Sequence, residues 1–219
     1  DHIDKKRWLF AMYTICFGIM VMLVFGRFLY YGKSFVGGAD GLSQVAPTMQ
    51  YTGQYYRALL KNILQGNLQI PMWDMSIGFG MNILQVIPFD PVYILCSVLF
   101  VHDIAVGIAI FDMLCLYLAG IMFIALCYNL GCNRYAALAA ALAYIFNGYI
   151  LNYCIAQNSF LRLFIVLPMI LLGVYNVTKK NRYGIFVLAV LYNIILGPLN
   201  IYTCLLYTSP SPRDVEESR

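Results

Sequence analysis

Residues 8–26 pass through 19 positions without one charged side chain, and no other feature limits the fold of this chain so strongly. A helix needs roughly 20 mostly apolar residues to cross about 30 Å of hydrocarbon. Lys5, Lys6 and Arg7 stand just before the run. A signal peptide also starts basic, but its apolar region is shorter and ends at a small-residue cleavage site. Here the run passes into Arg27-Phe28-Leu29-Tyr30-Tyr31, an aromatic ending of the kind found at a membrane interface. The segment reads as an anchor helix. Composition agrees: 62% of the 219 residues are hydrophobic and 11% charged, where a soluble domain is about half apolar and about a quarter charged. This excludes a nucleic-acid binder, a secreted disulfide scaffold and a disordered chain.

Further apolar runs cover residues 104–130, 135–153, 160–177 and 183–203, with a shorter one at 91–101. Basic clusters set the orientation, because Lys and Arg concentrate on the cytoplasmic side. With Lys5-Lys6-Arg7 inside, residues 32–90 lie outside; Asn133-Arg134 and Lys179-Lys180-Asn181-Arg182 then both return inside. All three clusters share one side only if 91–101 does not cross, so that segment is interfacial or re-entrant. The expected fold is all-α, a polytopic transmembrane helical bundle of about five spans (8–31, 104–130, 135–153, 160–177, 183–203). The expected location is the plasma membrane, with a cytoplasmic N-terminus and an extracytoplasmic main loop.

The last residues differ in character. No glutamate occurs before Glu216 and Glu217, and residues 204–219 read CLLYTSPSPRDVEESR. One reading is an ordinary disordered tail. The other, which the glutamate distribution favours, is a non-native tail resembling translated sequencing-adapter read-through. The natural sequence would then continue past about residue 203. The chain starts with Asp1 rather than Met, and the expectation is an N-terminal fragment of a larger protein, inactive by itself.

The outer loop carries the candidate chemistry. Asp40 sits in a Gly-flanked stretch, Gly37-Gly38-Ala39-Asp40-Gly41, followed by Gln44; such an aspartate is either a turn former or a reactive group beside a backbone that a ligand can approach. Residues 49–68 place Tyr51, Tyr55, Leu59, Ile63 and Leu64 at helical spacing with Gln50, Gln54, Arg57 and Lys61 between them, which predicts an amphipathic helix lying on the outer leaflet. Beyond it, Trp73-Asp74 leads to Gly78-Phe79-Gly80-Met81-Asn82. No strand precedes this glycine pair, so it is not a dinucleotide fingerprint; it reads as a tight turn with Trp73 as an interfacial anchor.

The order DG-x-x-Q-x-x-P, amphipathic helix, P-x-W-[DN]-x-x-x-G-x-G-x-N, then DP and a short apolar run resembles the bacterial YfhO-like membrane protein family. That family belongs to the GT-C superfamily of polytopic glycosyltransferases. The matching residues are Asp40-Gly41, Gln44, Pro47, Pro71, Trp73, Gly78, Gly80, Asn82, Asp90 and Pro91. Asp74 stands where the pattern carries Asn at least as often. The resemblance covers about residues 8–203, the amino-terminal part of a longer family. It implies transfer of a sugar from a polyprenyl-phosphate carrier to a cell-surface polymer, such as teichoic acid, on the outer face of the membrane. Expected partners are that lipid-linked sugar, the polymer acceptor, membrane lipid, a donor-synthesising glycosyltransferase and a flippase-like protein. Asp40 takes the catalytic role by this resemblance, as general base or, in some branches, as a metal ligand. No cofactor is implied, and a divalent metal stays open.

Sugar transfer needs a base within hydrogen-bond reach of the acceptor hydroxyl and a cation for the departing phosphate. Arg27, Arg57 and Arg162 are candidate donor-binding cations, with Lys33 and Lys61 at the same level, and Gln44, Trp73 and Asn82 are candidate donor-binding groups. A boundary arginine can equally snorkel. Asp112 lies inside the second span, where an acid is a functional candidate or an interhelical hydrogen-bonding group; Asp74 and Asp90 are further candidates, and Asp103 reads as a helix cap. Seven scattered cysteines and two histidines offer no metal site. The rival class is a transporter or flippase of a lipid-linked saccharide, whose usual internal repeat is not visible here. A structural membrane subunit is a third reading, and it leaves the long outer loop unexplained.

Overall fold

The computed structural model describes residues 2–38 and 40–195, with side chains from Trp8 onward. The end of the expected fifth span and the doubtful tail lie outside the described residues. Helix α1 covers His2–Tyr30. A wide turn at Gly41–Val45 leads into α2, Ala46–Leu64. A small antiparallel hairpin follows, β1 (Trp73–Asp74) against β2 (Met81–Asn82). Then come α3 (Ile83–Val86), α4 (Pro91–Leu99), α5 (Ile104–Asn129), α6 (Arg134–Ile145), α7 (Leu161–Lys180) and α8 (Gly184–Ile195). Among the described residues three helical segments are long and apolar enough to cross a membrane: Trp8–Tyr30, Ile104–Asn129 and Asn158–Lys180. The fold is an all-α membrane fold.

Where helices cross closely, a glycine makes room. A Cβ at Gly120 would lie 2.1 Å from the Tyr13 hydroxyl, which is how α1 seats Tyr13 on α5. Tyr13 then donates to the Tyr117 carbonyl at 3.0 Å. On α7, a Cβ at Gly173 would lie 2.7 Å from the Phe186 backbone of α8, and at Gly53 of α2 one would lie 2.2 Å from the Ser97 carbonyl of α4. The last contact changes the expected picture of α2. Its buried residues are Met49, Thr52 and Gly53, facing α4, whereas Ile63 and Leu64 are exposed. The helix is docked on protein along its first half.

The segment 135–153 is divided. α6 ends at Ile145 and a second, wide helical turn begins at Ile150. Asn147 sits at the break, donating through Nδ2 to the Tyr144 carbonyl at 2.7 Å and accepting from the Ile150 amide at 3.0 Å. Its side chain competes with the helix for backbone partners and leaves few groups open. Pro168 inside α7 has no N–H to offer the carbonyl of Phe164. Tyr144 of α6 donates to that carbonyl at 3.1 Å. In hydrocarbon such groups must be satisfied internally, so the proline and the tyrosine belong together.

Candidate functional site

The ends of the bundle differ chemically. At one end, the Arg134 guanidinium lies 5.2 Å over the Trp8 ring and Lys180 donates to Asn129. These contacts gather the start of α6, the end of α5 and the end of α7, with Lys179 and Arg182 adjacent. At the other end, Gly37 and Gly41 pack against Ala156, which joins the chain leaving α1 to the chain entering α7. A polar layer occupies this second end. Asp112 to Asn129 covers about 26 Å of helix at 1.5 Å per residue, close to the hydrocarbon thickness of a bilayer.

The layer is built from residues of several elements. The wide turn before α2 puts Asp40 and Gln44 on one side, and the Gln44 amide donates to the Asp40 carboxylate at 3.1 Å. Gln157 in turn donates to Gln44 at 3.4 Å. This rim borders a cavity of about 340 Å³ whose polar lining includes Gln44, Thr48, Gln85, Gln157, Asn158 and Arg162. Asp40 is exposed at the edge, and Arg162 lies at the floor with only 3% of its surface exposed.

Arg162 is held in an unusual way. Its Nη1 stands 3.8 Å from Asp90 Oδ2, an ionic contact too long for a hydrogen bond. Its plane lies 5.5 Å over Tyr93 and 5.8 Å over Phe111. Asp90 is fully buried, and its oxygens are already engaged: Oδ1 accepts from the Val92 and Tyr93 amides at the start of α4, and Oδ2 from the Tyr192 hydroxyl of α8 at 3.3 Å. The guanidinium therefore keeps charge balance while its Nε and Nη1 donors stay unspent. Asp112 lies against Asn158, its side-chain partner, although the pair falls short of full hydrogen-bond geometry. Among the described residues, buried side-chain polar atoms without a full hydrogen bond fall on these three residues and on Asn193. Unpaired buried groups are costly, and their concentration beside one cavity makes it the candidate site.

The structure thus brings together Gln44, Asp90, Asp112 and Arg162, with Asp40 joined at the exposed edge through Gln44. It places the others elsewhere. Arg57 donates through Nε to the Val98 carbonyl at 2.8 Å and lies 3.4 Å from His102, tying α2 to the end of α4. Asn82 caps α3 by accepting from the Leu84 amide. Trp73 is in the hairpin and 60% exposed, and Arg27 is in the exposed last turn of α1. Asp74 accepts from Tyr51 at 2.7 Å and from the amide and hydroxyl of Ser76; these donors, Tyr51 first, hold its carboxyl below the ordinary range. The Tyr51 hydroxyl is pushed up, by burial first and then by Asp74. Asp103 precedes α5 without a side-chain capping bond. Tyr192 and Thr48 join the site without any local motif to announce them. Among the described residues no cluster of three or more His, Cys, Asp or Glu side chains is placed to hold a metal.

These features define an all-α membrane protein with a half-enclosed polar pocket at one end of its bundle. The family model for the bacterial membrane protein YfhO matches residues 12–197, and the chain belongs to that family. No curated protein and no solved structure matches it.

Proposed function

We propose that the pocket is the sugar-transfer site of a glycosyltransferase that takes its sugar from a polyprenyl-phosphate carrier and delivers it to a cell-surface polymer such as teichoic acid. The observation that carries this reading is Arg162: a buried guanidinium with a charge partner but free Nε and Nη1 donors beside a cavity of about 340 Å³. Arginine is the side chain best shaped for a phosphate. The polar layer lies about one bilayer thickness from the basic end, so a phosphate whose tail remains in lipid reaches it without leaving the interface. In this arrangement the basic end, with Arg134, Lys179, Lys180 and Arg182, faces the cytoplasm and the pocket opens outward.

Asp40 removes the proton of the acceptor hydroxyl, and the oxygen forms a bond to the anomeric carbon as the bond from that carbon to the phosphate breaks. The carrier phosphate departs with the electron pair, and Arg162 stabilises its charge. Gln44 orients the Asp40 carboxylate through its 3.1 Å bond. A donor-synthesising enzyme and a flippase-like protein would supply the carrier-linked sugar from the inner face. The transporter reading draws on the broken α6, since transporters use discontinuous helices at their binding sites; Asn147 nevertheless closes that break with its own two bonds.

The test is Asp40→Asn in the full-length protein, with sugar on the wall polymer as the readout. Glycosylation falls by about 10²-fold or more if Asp40 is the base. Undiminished glycosylation at normal protein levels would refute the assignment.

A further inference from the structure

We infer that the hairpin Trp73–Asn82 is a lipid-dipping finger, whose apolar tip enters the outer leaflet beside the pocket. This rests on the membrane fold and the outward placement of the pocket, not on the sugar-transfer chemistry.

α2 starts at the pocket, where Gln44, Val45 and Thr48 line the cavity, and passes Ser97 at Gly53 and the Val98 carbonyl at Arg57. The chain then doubles back. Tyr55 donates to the Pro71 carbonyl at 2.9 Å and Tyr51 to Asp74 at 2.7 Å, so β1 runs antiparallel to α2. The hairpin tip therefore points toward the level at which α2 began, the edge of the apolar span.

Phe79 is fully exposed and takes a left-handed φ of 64° between Gly78 at 53° and Gly80 at 109°. A bulky aromatic rarely adopts that conformation. Strain of this kind persists where surrounding structure enforces it, and it gathers at functional segments. Here it holds a phenylalanine away from the protein. Met75 is 72% and Trp73 60% exposed beside it. The turn behind the tip is braced: Trp73 closes over Gly80 and donates to the Met75 sulfur at 3.2 Å.

Charge identifies the partner. Between Lys61 and Asp90 the only charged side chain is Asp74, and its carboxylate is occupied by Tyr51 and Ser76. Exposed apolar side chains gathered on one tip mark it as an interaction site. Tryptophan and phenylalanine with no nearby charge suit the headgroup–acyl boundary, whereas a saccharide acceptor would call for hydrogen-bonding groups that the tip does not present.

The experiment replaces Phe79 by the photo-crosslinking analogue p-benzoylphenylalanine in the full-length protein. The protein is reconstituted in vesicles of phosphatidylglycerol and phosphatidylethanolamine, and adducts are read by mass spectrometry. Exposed Gln69, in the loop behind the hairpin, serves as the control, and Met75 as a second tip position should the first variant fail to fold. Lipid adducts at a tip position and not at 69 are expected. Adducts to protein, equal lipid labelling at 69, or no adducts from correctly folded protein at either tip position would overturn the inference. Because the readout needs no sugar donor, failure of the transferase reading leaves this outcome unchanged.

Discussion

Asp90→Asn separates charge from shape at the Asp90–Arg162 pair. Asparagine keeps a side-chain oxygen to accept from the Val92 and Tyr93 amides, as good a cap as Asp, while its Nδ2, in the place of Oδ2, donates to the Tyr192 hydroxyl oxygen instead of accepting from it. What disappears is the negative charge 3.8 Å from Arg162. At an effective dielectric of 20 that attraction is about 4 kcal/mol. Both groups are almost completely buried, so solvent screens the pair little. Removing one member of a buried pair typically costs about 3–5 kcal/mol, because the remaining charge is uncompensated. The expected loss of stability is therefore about 3–4 kcal/mol, read from equilibrium unfolding of the full-length protein in mild detergent. The double variant Asp90→Asn with Arg162→Met removes both charges and should be more stable than Asp90→Asn alone. A loss under about 1 kcal/mol, the level of an exposed ion pair, would refute the reasoning. So would a double variant as unstable as the sum of its parts.

Tyr144→Phe leaves the Phe164 carbonyl without its donor and should destabilise the protein by about 1 kcal/mol, as for interhelical hydrogen bonds in membranes. In a Pro168→Ala background the restored amide can serve that carbonyl, so the same change should cost almost nothing; an equal cost in both backgrounds would show that the two are not linked. Asp74 supplies the pH dependence. Its carboxyl is held low in the folded state, so the stability it adds to the hairpin is complete above the ordinary carboxyl range and is lost as pH falls through the lowered value. Hydrogen exchange at the Ser76 amide should therefore show protection at neutral pH that fades in acid, and Asp74→Asn should remove the pH dependence. Unchanged acid lability in that variant would assign it to another group.

The amino-acid sequence by itself determined the solvent. Uninterrupted apolar runs such as residues 8–26 have no use but to lie in hydrocarbon, and the order of motifs from Asp40 to Pro91 was enough to reveal the family. These are local properties, written in consecutive residues. The polar pocket was legible only in pieces. Asp40 and Gln44 share a turn, four residues apart, and that pairing follows from helical geometry. Asp90, Arg162 and Tyr192 come from the starts of two helices and the last described turn of a third, and no spacing rule connects them. Arg57 and Arg162 carry the same expectation in sequence, both candidate donor-binding cations at the outer level. Only tertiary structure separates them, because α2 crosses α4 at Gly53 and turns Arg57 onto the Val98 carbonyl. α7, packed on α5, instead buries Arg162 beside Asp90 and Asp112. Hydrophobic length selects the environment of each segment, but the packing of side chains over long sequence separations decides which charges meet and which donors stay free for a ligand.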